Sequence, residues 1–167
     1  FKYCAPASLH EAINLMAGRK GSTNLMAGGT DLIVLMRARR KRPDLVIDVK
    51  KIPELSELKM DKAGLTIGAS VNCRTIFEND EIAAKYPALV DSARLIGGIQ
   101  IQGRASIGGN LCNAAPSADT IPTLIVYGAV ARIVNGKGER KIPVEEFCLA
   151  PGKTILEDDE ILVNLFI

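Results

Sequence analysis

Hydrophobic positions in the first fifty residues follow two periods. Leu9, Ala12, Ile13 and Met16 recur at helical spacing behind Ser8-Leu9-His10-Glu11, a capping-box pattern, and Gly18 closes the run, which predicts a helix over 9–18. A short strand near 24–27, the turn Gly28-Gly29 and a helix over about 31–40 follow. After Pro43, Leu45-Val46-Ile47-Asp48-Val49 has the continuous apolar character of a strand covered on both faces. Strand, helix and strand in this length predict a right-handed βαβ unit in a parallel sheet. From about residue 55 the pattern changes to a hairpin over 58–60 and 65–68, then helix from Thr75 to about Tyr86 and from Pro87 to about Ile96. A helix-like run at 121–127 carries Pro122 in its first turn. A second hairpin, 130–134 with 139–142, turns at Asn135-Gly136-Lys137-Gly138, and a last strand covers 161–167. The expectation is one globular α+β (α/β) domain in two lobes, 1–55 and 56–167, without internal repeats.

Composition narrows the function classes. At 167 residues and 47% hydrophobic, the chain can bury a sizeable core. A net charge of +2, from 21 basic and 19 acidic residues, gives no electrostatic footprint for nucleic acid. No apolar run reaches the roughly 18 to 20 residues of a membrane span, and no signal-peptide pattern opens the chain, so a soluble cytoplasmic protein is expected. Cys4, Cys73, Cys112 and Cys148 are scattered, without the C-x-x-C spacing of zinc or iron–sulfur sites, and read as buried free thiols. The basic run Arg37 to Arg42 reads either as a solvated helix end or as a docking patch. An opening Phe1 and an apolar stop at Ile167 suggest a piece of a longer polypeptide.

Several familiar signatures fail. Gly152-Lys153-Thr154 lacks the P-loop glycine at Phe147, and Gly136-Lys137-Gly138 lacks the Rossmann glycine at Lys141. Ser106 has Arg104 where a nucleophile elbow needs glycine, and His10 is the single histidine, on a predicted helix surface. No catalytic or metal-ligating residue is expected in this chain.

Two segments remain. Leu25-Met26-Ala27-Gly28-Gly29-Thr30-Asp31-Leu32 reads as strand, turn and helix start. It is either a tight turn that binds nothing or a cradle whose N–H groups converge on a pyrophosphate, with Thr30 adding a hydroxyl and Asp31 capping the helix or bonding a neutral group. The segment from Ala105 to Asp119 is either an irregular core loop or a second ligand-binding loop. In the second reading Asn110, Asn113, Ser117 and Asp119 serve ribose or ribityl hydroxyls, and Gly108 and Gly109 admit a flat ring. Two such loops facing one another would clamp a dinucleotide.

With these residues in view, the chain resembles the FAD-binding (medium) subunit of the molybdenum hydroxylases, the xanthine dehydrogenase and carbon monoxide dehydrogenase family. The resemblance rests on Ala27-Gly28-Gly29-Thr30-Asp31-Leu32, on Ser106-Ile107-Gly108-Gly109-Asn110 with Asn113-Ala114, Pro116 and Asp119, and on the opening Phe1-x-Tyr3 with Pro6 and Ser8-Leu9. Pro151-Gly152-Lys153-Thr154 and Asp159-Glu160-Ile161-Leu162 extend it to nearly the whole chain. It implies a two-lobed FAD domain of the p-cresol methylhydroxylase or vanillyl-alcohol oxidase type, a small βαβ lobe beside a larger mixed or antiparallel lobe, with a C-terminal flavoprotein domain following beyond Ile167. It implies cofactor contacts from Leu25, Met26, Ala27, Gly28, Gly29, Thr30, Asp31 and Leu32 on the pyrophosphate. Ile101, Ala105, Ser106, Gly108, Gly109, Asn110, Asn113, Ser117 and Asp119 would hold the remainder, with Ile96 and Leu162 sandwiching adenine. It further implies a large molybdopterin subunit and a small [2Fe–2S] subunit as partners, with electrons passing through FAD to NAD+, a quinone or oxygen. The alternatives are a stand-alone FAD oxidase or reductase of the same fold, and a nucleotide-binding module without redox use.

Overall fold

The computed structural model describes residues 1–18 and 21–167. The first part comprises β1 (Lys2–Cys4), α1 (Leu9–Ala17), β2 (Thr23–Met26), α2 (Leu32–Arg37) and β3 (Leu45–Asp48). Its sheet is parallel throughout, in the order β1-β3-β2, so β1 extends the expected βαβ unit by one strand. Central β3 carries the most buried residues, Val46, Ile47 and Asp48, as its apolar run requires. Ser8 caps α1 by accepting from the Glu11 N–H at 3.2 Å, while the Glu11 carboxylate reaches back to the Ala7 N–H at 3.0 Å. The helix expected over 31–40 stops at Arg37. Arg39 turns to φ 56°, and its N–H and that of Arg40 bond back to Met36 and Leu35, a Schellman-type closure with arginine where glycine is usual.

The second part runs α3 (Pro53–Ser56), β4 (Leu58–Met60), β5 (Leu65–Gly68), α4 (Cys73–Phe77), α5 (Asp80–Lys85), α6 (Pro87–Leu95), α7 (Ile99–Gln102), α8 (Ile107–Asn113) and α9 (Thr120–Val126). It ends with β6 (Val130–Asn135), β7 (Gly138–Pro143), β8 (Cys148–Ala150), β9 (Lys153–Thr154) and β10 (Ile161–Phe166). The main sheet is antiparallel, β4-β5-β10-β6-β7, with β10 at its centre and a register shift between Leu162 and Asn164. Two expectations need correcting. The single helix over 75–86 is two, because the Asn79 side chain accepts from the Ile82 N–H at 3.0 Å and starts a new helix. The glycine-rich stretch expected as a loop contains α8, whose first turn is capped by the Ser106 hydroxyl.

Buried residues from both parts, including Ala12, Ile47 and Leu55 with Ile67, Leu111, Phe147 and Val163, form one continuous core. The thiols are less uniformly buried than expected: Cys73 is inside, Cys4 and Cys148 are half-buried, and Cys112 is exposed. Desolvation pushes the Cys73 thiol up to about 12, which makes it inert. Among the described residues no helix is long and apolar enough to cross a membrane.

Candidate functional site

β2 and β3 pair in register Met26 to Asp48, so Ala27 and Val49 leave the parallel sheet at its carboxyl edge, where open α/β sheets place their ligands. The chain then bends sharply through Gly28 and Gly29. Gly29 sits at φ 75°, a conformation glycine adopts without strain. Gly28 has no room for a side chain, because a Cβ would run into the Arg104 carbonyl and crowd the Ala105 nitrogen at 3.0 Å. Sequence-distant backbone therefore meets at this point, and the Arg104 Nε donates to the Gly28 carbonyl at 3.0 Å.

The turn's N–H groups are spent differently from its carbonyls. Lys50 Nζ donates to the Ala27 carbonyl at 3.0 Å, yet among the described residues the N–H groups of Gly28, Gly29, Thr30, Asp31 and Leu32 have no acceptor. The donors of Asp31 and Leu32 are the ordinary open N–H groups of a helix start, and those of buried Gly28 and half-buried Gly29 and Thr30 add to them, a row that suits an acceptor from outside the chain. The Asp31 carboxylate makes no cap hydrogen bond and does not satisfy them.

The second wall is the start of α8. Ser106 Oγ accepts from the Gly109 N–H at 3.1 Å, and Gly108 lies against Ala69, where an added Cβ would come within 2.6 Å of its Cα. Asn110 Oδ1 accepts from Thr120 Oγ1 at 2.6 Å, which leaves the Asn110 amide nitrogen with both hydrogens to donate. A third wall is the turn before β10. Arg140 holds it by donating to both Glu160 oxygens at 2.7 Å and to the Ile155 carbonyl at 3.1 Å. Hydrogen bonding to Arg140 keeps the Glu160 carboxyl below its ordinary range, against the opposing effect of burial.

These walls enclose one cleft of about 360 Å3, within the range of ligand sites. All of Leu25 through Leu32 line it, together with Ala105, Ser106, Gly108, Gly109, Asn110 and Asn113. Ile96 and Leu162 also line it and are 8% and 3% exposed, two buried aliphatic surfaces in the same cleft. Ile101, Ser117 and Asp119 lie outside the lining, with exposed side chains. Sequence reasoning missed Thr23 and Ser70, whose buried hydroxyls have no partner among the described residues, and the acidic turn Glu157-Asp158, and it read Lys41 only within the basic run Arg37 to Arg42. The acidic turn left a signal, a run of carboxylates immediately before a buried strand, and Lys41 left one in the basic run itself.

The family described as the FAD binding domain in molybdopterin dehydrogenase matches residues 1–167. The chain belongs to that family. It is 36% identical over 162 residues to the xanthine dehydrogenase FAD-binding subunit of Escherichia coli O157:H7, covering 96% of this chain and 55% of that one. It is 30% identical over 165 residues to the carbon monoxide dehydrogenase medium chain of Hydrogenophaga pseudoflava, covering 99% and 58%. The solved carbon monoxide dehydrogenase from that organism, in a form lacking the Mo-pyranopterin moiety of its molybdenum cofactor, superposes with a TM-score of 0.96 over 100% of this chain and 58% of its own. The mixed α/β fold with its parallel and antiparallel sheets is thus that of the FAD-binding domain family, and the chain spans a little over half the length of the relatives it matches.

Proposed function

We propose that the cleft between the turn at 27–32 and the start of α8 binds FAD, and that the chain serves as the electron-transfer flavin component of a molybdenum-dependent hydroxylase or dehydrogenase. The observation that carries this reading is the row of N–H groups from Gly28 to Leu32 without an acceptor among the described residues, at the carboxyl edge of a parallel sheet and inside this cleft. A pyrophosphate supplies the acceptors that these donors lack. The amides themselves make the cradle, since α2 has only six residues and its dipole adds little.

The remaining residues fit the other parts of the cofactor. The Asn110 amide bonds ribityl or ribose oxygens. Glu157 offers an acceptor to hydroxyl or amino groups, and Ile96 with Leu162 provides apolar cover for adenine. Ile101, Ser117 and Asp119 enter the proposal only as contacts beyond the cleft's present lining. The flavin supplies the redox chemistry when bound, and the chain's own task is to hold it, orient it and tune it through backbone amides.

In the assembled enzyme this domain receives electrons from [2Fe–2S] clusters of a small subunit, fed by a molybdopterin subunit, and delivers them to NAD+, a quinone or oxygen. Purification of the full chain tests the first part: bound oxidised FAD, seen by its visible absorption and released on denaturation, is expected. Co-purification of molybdenum- and iron-containing subunits tests the second. A purified full chain that neither carries nor takes up FAD contradicts the proposal.

A further inference from the structure

The turn at 27–32 is held from behind by two cations that the cofactor reading does not use. Lys50 Nζ donates to the Ala27 carbonyl at 3.0 Å, and Arg104 Nε donates to the next carbonyl, Gly28, also at 3.0 Å. Neither Lys50 nor Arg104 lines the cleft, whereas Ala27, Gly28 and Gly29 all do. A trans peptide is planar with its C=O and N–H on opposite sides. Fixing the Ala27 carbonyl therefore fixes the Gly28 N–H in the reverse direction, and fixing the Gly28 carbonyl does the same for the Gly29 N–H.

The Lys50 end is itself anchored. Its ammonium donates to both Asp48 oxygens, at 2.7 and 2.6 Å, so its three hydrogens are accounted for by these bonds and the Ala27 carbonyl. Asp48 lies at the end of the central strand, 7% exposed, and also accepts from the Tyr3 hydroxyl at 2.8 Å and the Lys50 N–H at 3.1 Å. This chain of bonds ties the direction of one peptide plane to the rigid middle of the parallel sheet. Glycines would otherwise let both planes rotate, since they impose the weakest backbone restraint of any residue.

We propose that Lys50 and Arg104 are positioning residues that aim the Gly28 and Gly29 amides at the bound pyrophosphate, Lys50 acting on Gly28 and Arg104 on Gly29. The proposal rests on the FAD reading of the cleft and adds to it a pair of residues that do not touch the ligand. Aimed donors need no reorganisation on binding, which is where a preorganised site gains affinity.

The test uses the full chain with Lys50→Met, Lys50→Arg and Arg104→Met, measuring FAD affinity and the amide proton–nitrogen signals of glycine-labelled protein. Each methionine variant is expected to weaken FAD about tenfold, the scale of one charge-assisted hydrogen bond, with Lys50→Arg recovering most of the loss. The FAD-induced shift of the Gly28 amide should collapse in Lys50→Met and that of the Gly29 amide in Arg104→Met, a pairing that general destabilisation would not produce. Loss of Lys50 leaves Asp48 short of donors and can impair folding; Arg104→Met, at an exposed side chain, then carries the test alone. Unchanged affinity in the folded methionine variants overturns the proposal, and so does equal loss of both amide shifts in either one. A wild-type chain that takes up no FAD overturns the reading of the cleft itself, and this proposal with it.

Discussion

The two glycine pairs, Gly28-Gly29 and Gly108-Gly109, look alike as dipeptides and spend their backbone groups differently. In the first, the carbonyls of Ala27 and Gly28 are taken by Lys50 and Arg104, and the N–H groups from Gly28 to Leu32 have no acceptor among the described residues. In the second, the Gly109 N–H goes to Ser106 Oγ and the following Asn110 N–H to the Ser106 carbonyl, so that of the pair only the Gly108 N–H lacks an acceptor among the described residues. What α8 presents to the cleft is side-chain chemistry, chiefly the Asn110 amide. A Gly-Gly pair thus marks close packing in both places and an anion cradle only where the amides lack internal partners.

The largest effect should come from closing the space that joins the two segments. Gly28→Ala puts a methyl into the Arg104 backbone, so it should cost at least about 3 kcal/mol in thermal or urea unfolding and remove flavin binding as well. Gly29→Val strains a φ of 75° and crowds Ile33 and Met26 but touches no distant backbone. It should lower stability by less than Gly28→Ala while still abolishing FAD uptake, and an equal loss of stability in the two variants would break the distinction drawn between them.

A smaller change isolates the third wall, which neither glycine pair supplies. Arg140→Met leaves the Glu160 carboxylate, 6% exposed in its side chain, without its cation and should destabilise by about 2 kcal/mol at neutral pH. The pH dependence has a definite sign. Because the folded carboxyl titrates below its ordinary value of 4.5, the pair's contribution is complete above that value and fades as pH falls through the lowered folded value. Wild type should therefore lose more stability than Arg140→Met between neutral pH and pH values below the ordinary carboxylate range; parallel curves would exclude the pair as the source.

Ser106→Ala should cost about 1 kcal/mol as a lost helix cap and weaken FAD only modestly, since that hydroxyl serves α8 first. Asp119→Ala should be the mildest change. Exposed and outside the cleft lining, it should leave FAD affinity within a factor of about two, and a larger loss would make Asp119 a direct cofactor contact.

Periodicity sufficed wherever an element is long or strongly apolar. α1, β3, the β6–β7 hairpin around Asn135-Gly136-Lys137-Gly138 and β10 lie within a residue or two of their expected places. The elements it missed owe their existence to tertiary pairing: β1 has three residues and a largely exposed pattern, and it is a strand because it lies in register on β3. α8 went unseen for a related reason, since two glycines and two asparagines argue against helix, and the Ser106 cap and the seating of Gly108 on Ala69 outweigh that propensity. In the cleft, clustered Gly and Asn announced the first two walls. Lys50 and Arg104 gave no signal, because their role depends on which way a carbonyl points, and no residue pattern encodes that direction.

The central claim is that the amides of Gly28 to Leu32 receive the pyrophosphate of FAD. It is tested most directly by recording amide proton–nitrogen spectra of the labelled full chain while FAD, and separately riboflavin, is added. The account predicts large shifts at Gly28, Gly29 and Thr30 with FAD and little movement of these signals with riboflavin, which carries no phosphate. Binding of FAD that leaves these amides unmoved, with the shifts concentrated elsewhere in the chain, would contradict it.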